Sequence, residues 1–333
     1  MVLLTIALLL ISLIVLVVSS DKLVQSGEKI AKKLHISDFV LGVTIIAIGT
    51  TLPELATGII ATVHGDFALN WGNIVGSNIA NIGLVLALSI MVTQRFDIQQ
   101  KFFKPDLLAL IAFTVLFIVF GSNGVFSPLE GFILVVLFIA YLIWLTTSIE
   151  HAGPREIKKE FREEIRSDLR DIDNPISFHL KKFQANNGLV LFLSLLGIWI
   201  GANGTVEYAV ALASEFNVSQ TIIGFTIISI GTSLPNILVA LSALNHKLGD
   251  VFLGSIIGAN ITTIAMVGGI SMMIAPMAIP FAAATTAYGF LIGITALLFF
   301  SAWVHPHITK RTAFFFMLAW VAFLAVALGQ AGI

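Results

Sequence analysis

The sequence predicts an all-α polytopic membrane protein: ten transmembrane helices as two inverted five-helix repeats, with both termini extracytoplasmic. Three observations predict it. The 333 residues are 57% hydrophobic and 11% charged, with a mean hydropathy of +0.99, whereas soluble domains carry about 25% charged residues. The apolar runs have helix length, and lipid admits only helices or closed barrels. A pair of polar motifs also recurs downstream at a constant offset of 182 residues (231 − 49 and 254 − 72).

Taken in order, the expected spans are about 2–18, 39–63, 69–93, 105–121, 125–147, 187–204, 221–245, 251–275, 283–303 and 312–330. The first run, Val2–Val18, has no basic residue before it and has a repeat counterpart, so it reads as a span and not as a signal peptide. Three domains follow: a first repeat over 1–147, a charged loop over 148–186, and a second repeat over 187–333. The polar stretch Glu150–Asn186 contains EIKKEFREEIRSDLRDI, which mixes signs at helical spacing and reads as a solvated surface helix.

The basic residues test the span count. Ten spans place every one of the 18 Lys and Arg on one side: Lys22 to Lys33, Arg95 to Lys104, Arg155 to Lys182, Lys247, Lys310 and Arg311. The positive-inside rule makes that side, and with it the Glu150–Asn186 loop, cytoplasmic.

The repeat sets GTTLPE (49–54) beside GTSLPN (231–236), and GNIVGSNIANIG (72–83) beside GSIIGANITTIA (254–265). Within the motif regions 42–83 and 224–265 the same offset pairs Gly42 with Gly224 and Thr44 with Thr226. Each half has five expected spans, an odd number, so the second copy enters the membrane the opposite way up. Inverted repeats of this kind underlie many secondary transporters.

Both motif regions carry polar groups at membrane depth. Glu54 is the acid that sits well inside an apolar run, and an ionisable residue there is a functional hypothesis by default. Thr50 and Thr51 precede it by four and three residues and share its face. Asn73, Ser77 and Asn81, spaced by four, form one stripe on the next span. All offer oxygen, as hard cations require. Pro53 is expected to break the helix around Gly49, freeing carbonyls near Ala47 and Ile48, and Gly231 and Pro235 repeat the arrangement near Ser229. Thr232 holds the position equivalent to Thr50. Gly72, Gly76 and Gly83 are expected to let helices approach closely. His64 and His246 read as surface residues at span ends, and Asp106 and Glu130 as interfacial.

These motifs resemble the cation/Ca²⁺ antiporter superfamily, in its prokaryotic sodium/calcium exchanger branch, along essentially the whole chain. The resemblance implies Na⁺/Ca²⁺ antiport by alternating access through a mid-membrane diamond of subsites. Position by position it implies ligands at Thr51, Glu54, Ser77 and Asn81, a carbonyl near Ala47, a hydroxyl at Ser233 and a carbonyl near Ser229. Three positions depart from the family pattern: Asn236 replaces a second Glu, Ala259 a Ser, and Thr263 an acidic or amide residue. One carboxylate leaves bound Ca²⁺ with net positive charge at low dielectric, which costs affinity. Monovalent cation/H⁺ antiport through Glu54, with Na⁺ or K⁺ as cargo, is therefore an alternative, as is a non-transporting ion sensor.

The implied partners are inorganic cations, Na⁺ and Ca²⁺ foremost, and the lipid bilayer. No cofactor and no protein partner is implied, and a net charge of −1 argues against nucleic acid. With no cysteine, thiolate metal sites and Cys nucleophiles are excluded, and no HExxH motif or nucleophile–His–acid set suggests an enzyme. The expected location is a prokaryotic plasma (inner) membrane, in multi-pass form.

Overall fold

The computed structural model describes residues 2–34, 37–93, 95–97, 100–150, 187–215, 229–279, 281–304 and 307–330. It is built almost wholly of helices, as the apolar runs require. The central loop after Glu150 lies outside the described residues, as do 216–228 at the start of the seventh expected span.

In chain order the helices are α1 (Val2–Leu34), α2 (Asp38–Leu41), α3 (Ala47–Thr50), α4 (Leu52–Val63), α5 (Phe67–Ala80), α6 (Ala87–Thr93), α7 (Gln100–Gly121) and α8 (Pro128–Glu150). The second half adds α9 (Asn187–Glu215), α10 (Ser229–Asn245), α11 (Gly249–Thr262), α12 (Gly269–Ile274), α13 (Phe281–Val304) and α14 (Lys310–Gln330). Wide π-helical turns join α2 to α3 (Gly42–Ile46), α5 to α6 (Asn81–Leu86) and α11 to α12 (Thr263–Gly268). Among the described residues, seven helices are long and apolar enough to cross a membrane, and the bent pair Asp38–Thr50 with Leu52–Val63 makes an eighth. Pro105–Gly121 and Ser233–Asn245 are shorter apolar helices where the fourth and seventh spans are expected.

The repeat is visible in the element boundaries. Phe67–Ala80 and its π turn return as Gly249–Thr262 and Thr263–Gly268, offset by 182 residues (249 − 67 and 263 − 81). These two rods form the buried centre, and α1 and α14 lie at the rim. Leu3, Leu4 and Ile14 of α1, Phe132 and Ile143 of α8, Phe192 and Ile200 of α9, Phe300 of α13 and Phe315 of α14 are exposed, an apolar exterior suited to lipid.

Two helices run longer than expected. α1 and α9 extend by sixteen and eleven residues past the ends anticipated at 18 and 204. They pack on each other through a stripe of small residues: a Cβ at Gly197 would strike Ser19, one at Gly201 the Leu16 backbone, and one at Gly204 Ser12. The partner numbers fall as the glycine numbers rise, so the two helices are antiparallel. Two small antiparallel strand pairs close the ends, β1 (Arg95–Asp97) with β4 (His307–Thr309) and β2 (Val125–Phe126) with β3 (Met277–Ala278).

The close approach expected of Gly72 and Gly76 occurs elsewhere. Among the described residues nothing lies within 4 Å of a Cβ built on either. Gly83 does make a tight contact, against Trp320 and Phe316 of α14. The backbone-to-backbone crossing uses Gly42, Gly254 and Gly258 instead, where an added Cβ would sit 2.5 Å from the carbonyl oxygens of Val251, Phe39 and Val43 respectively. Repeat-equivalent substitutions should therefore behave oppositely. Gly254→Ala forces backbones apart and should cost about 1–3 kcal/mol or more. Gly72→Ala should be neutral or stabilising by about 0.5–1 kcal/mol, through lost chain entropy. Thermal unfolding in detergent measures both.

Candidate cation site

The bend in the first repeat falls at Thr51 (φ −89°, ψ 1°), between Gly49 and Pro53, and turns the chain by 43°. Pro53 sits in the first turn of α4, where its missing N–H has no partner to lose, so it starts the second segment instead of ending the first. The carbonyls expected to be free are not. Ala47 O accepts the Thr51 N–H at 3.1 Å and the hydroxyls of Thr50 (3.1 Å) and Thr51 (3.0 Å). Ile48 O also accepts from Thr51 Oγ1, at 3.0 Å. Among the described residues the second repeat shows no equivalent break: α10 runs through Gly231 and Pro235 without interruption from Ser229. Ser229 and Thr232 lie in its first turn, and their side chains fall outside what the structure describes.

The bend leaves Glu54 in the first turn of α4 and 0% exposed. Among the described residues, neither carboxylate oxygen has a hydrogen-bond partner. α4 packs against α5 and against the π turn Thr263–Gly268. Asn73, half-buried on α5, reaches only the backbone oxygen of Glu54, at 3.5 Å. Thr51, Ser77, Ser233, Asn236 and Thr263 are all buried, and the hydroxyls of Ser233 and Thr263 are unpartnered. Burying polar groups without partners costs free energy unless something else supplies the contacts.

The π turns explain why this wall is polar. Asn81 and Thr263 each open one. The extra residue per turn releases the regular ladder and re-aims side chains, a device common at functional sites. Hydrogen bonds then gather three asparagines: Asn236 of α10 donates to Asn81 Oδ1 at 3.0 Å, and Asn81 donates to Asn260 Oδ1 of α11 at 3.3 Å. Asn260 was not expected here from sequence, although GAN in the second motif aligns it with Asn78. Ala259, buried beside it, brings no oxygen of its own side chain.

Asp106, expected near the membrane interface, is enclosed by protein. It is 2% exposed and accepts a hydrogen bond from Tyr141 of α8. His246, half-buried, is held by Asp21 of α1 at 2.7 Å, which links the two repeats at one end. Glu130 caps the start of α8 through the Ser127 N–H at 2.7 Å. Among the described residues no three His, Asp or Glu side chains cluster. A cation here would therefore be held by one carboxylate with hydroxyl, amide and carbonyl oxygens, a hard-ion donor set.

The family model described as sodium/calcium exchanger protein matches residues 4–147 and 187–329. The chain belongs to the sodium/calcium exchanger family. Among relatives of this exchanger family, the sodium/calcium exchanger MaX1 of Methanosarcina acetivorans is 33% identical, covering 89% of this chain and 90% of its own. An uncharacterized membrane protein of Methanocaldococcus jannaschii is 35% identical over 70% of each chain. The solved structure of the sodium-calcium exchanger NCX_Mj, soaked without Na⁺ or Ca²⁺, superposes with a TM-score of 0.79 at 30% identity, covering 98% of this chain and 100% of that one. This membership makes the chain a multi-pass membrane transporter of the cation/Ca²⁺ antiporter type, not an enzyme.

Proposed function

We propose that the chain is a secondary active antiporter exchanging Na⁺ for Ca²⁺ by alternating access through a mid-membrane site centred on Glu54. The observation that carries this reading is the Glu54 carboxylate, fully buried with both oxygens unpartnered. An isolated charge in such a place costs several kcal/mol, and a bound cation offsets it. Further oxygens would come from Thr51, Ser77, Asn81 and Ser233, and from Thr50, Asn73, Thr232 and the backbone at Ala47 and Ser229. Asn236, Ala259 and Thr263 make the second half-site weaker.

The membrane topology belongs to the same proposal. Ten spans divide into an inverted pair, 1–147 and 187–333, around a cytoplasmic loop at 148–186, with outward termini in a prokaryotic plasma membrane. Three features support it: the antiparallel contact of repeat-equivalent α1 and α9, the element boundaries repeated at constant offset, and two strand pairs that each join loops assigned to one side. Two like halves of opposite orientation provide two near-symmetric states, one open to each side.

The test is radioactive Ca²⁺ uptake into proteoliposomes under an outward Na⁺ gradient. Uptake that collapses with the gradient supports exchange. Gradient-independent silence from folded protein would sink it. The single carboxylate, with Asn236 at the second position, favours one further reading: monovalent cation/H⁺ exchange, which a trapped pH dye in the same vesicles would register. Binding without any flux would point to a sensor.

A further inference from the structure

Every exposed residue of α1 between 2 and 18 is apolar, and every exposed residue between 19 and 33 is a lysine: Lys22, Lys29, Lys32 and Lys33. The change happens on one face. At about 100° per residue, Leu4, Ile11, Val18, Lys22, Lys29 and Lys33 fall within about 60° of one another around the helix. α1 lies at the rim, and the apolar part of this face is open to lipid. Residues 2–18 cover about 25 Å of helix, close to the hydrocarbon thickness of about 30 Å, so the lysines begin where the headgroups begin. Residues 19–33 hold four lysines against two acids, a net charge of +2 (4 − 2). One of those acids, Asp21, is turned to α10, where it accepts from Ser242 at 2.9 Å and lies 2.7 Å from His246 Nε2. The other, Glu28, pairs with Lys32 at 3.2 Å.

The repeat-equivalent helix differs. The offset of 182 puts Gly204, Ala211, Ser214 and Glu215 of α9 where α1 has Lys22, Lys29, Lys32 and Lys33. Among the described residues of 201–215, the exposed ones are Asn203, Glu207, Ala211 and Glu215, with no cation. The packing of these two paired helices therefore does not itself demand lysines. We propose that the lysine face of α1 docks on anionic phospholipid headgroups of the leaflet that the second half of α1 enters. Lipid is the occupant because the lysines continue a face already turned to hydrocarbon. Lys22 meets the phosphates first, and flexible apolar stems let the ammonium groups of Lys29 and Lys33 reach back toward them. Basic residues at the point where a helix leaves the bilayer attract anionic lipid in this way. The ten-span topology proposed above makes this leaflet cytoplasmic. The docking itself does not depend on which ion is carried.

The chain has no cysteine, so Lys32→Cys takes a single fluorophore beside this face. With the full chain in mixed vesicles, nitroxide-bearing phosphatidylglycerol should be enriched at the fluorophore over nitroxide-bearing phosphatidylcholine, and quench it more. The enrichment should reach about fivefold, the effect of one lysine at a charged surface, or more. Lys22→Gln, Lys29→Gln and Lys33→Gln together should bring the two lipids level. Salt at about 1 M, which screens beyond about 3 Å, should do the same without any further substitution, so the test survives a glutamine variant that folds poorly. Arginine at the same three positions should keep the preference. A fluorophore at Ala211→Cys, on the equivalent face of α9, should report none. The proposal is overturned if the two lipids quench alike at low salt. It is equally overturned if the preference survives both high salt and the three glutamines, or if Ala211→Cys shows the same preference.

Discussion

Glu54→Gln should abolish Ca²⁺ uptake and, in the absence of ions, should make the folded protein more stable. The two effects share one cause. The carboxylate is 0% exposed and neither oxygen has a hydrogen-bond partner. Glutamine has nearly the same shape and no charge, so packing on α5 and on the π turn Thr263–Gly268 is kept. A carboxyl gives up more solvation on burial than a neutral amide does, so the ion-free variant should be the more stable. A Ca²⁺ or Na⁺ ion brought to the neutral site finds no counter-charge, and the affinity lost should exceed about a thousandfold. Uptake in proteoliposomes and Tm with and without ions read the pair of effects. A variant less stable than wild type and still transporting would show that Glu54 is a structural acid.

Asn236→Glu works in the opposite direction. It sets a second carboxylate in the wall built from Asn81 and Asn260 and removes the donor that holds Asn81. Two carboxylates match the charge of Ca²⁺, and its affinity should rise tenfold or more, about 1.4 kcal/mol per factor of ten. Without ions the two acids repel in a low-dielectric site, so ion-free Tm should fall. Equilibrium Ca²⁺ binding with thermal unfolding measures both. An unchanged Ca²⁺ affinity would mean that position 236 faces away from the ion.

The sequence carries the fold through hydropathy and through the offset that pairs GTTLPE with GTSLPN, because helix length and internal symmetry are both local properties of the string. Glu54 is legible for the same reason: an acid inside an apolar run stands out. The other details depend on long-range partners or on hydrogen-bond register. The bend falls at Thr51 because Pro53 begins α4, and at Pro235 no break follows because the same residue is carried inside α10. The π turns at Asn81 and Thr263 leave no mark in spacing. Gly72 and Gly254 are equivalent in the repeat, yet only Gly254 meets another backbone. Asp106 sits near a span start, as interfacial acids do, and only the fold brings Tyr141 to it. The central charged loop, where the sequence predicts a surface helix, lies outside the described residues.

If Na⁺ and Ca²⁺ share one site at Glu54, each must displace the other. Equilibrium binding of radioactive Ca²⁺ to the purified chain, at rising Na⁺, tests it most directly. A shared site gives complete, competitive displacement in the wild type and no specific Ca²⁺ binding in Glu54→Gln. Ca²⁺ that stays bound at saturating Na⁺, or that binds the glutamine variant as well as the wild type, would contradict it.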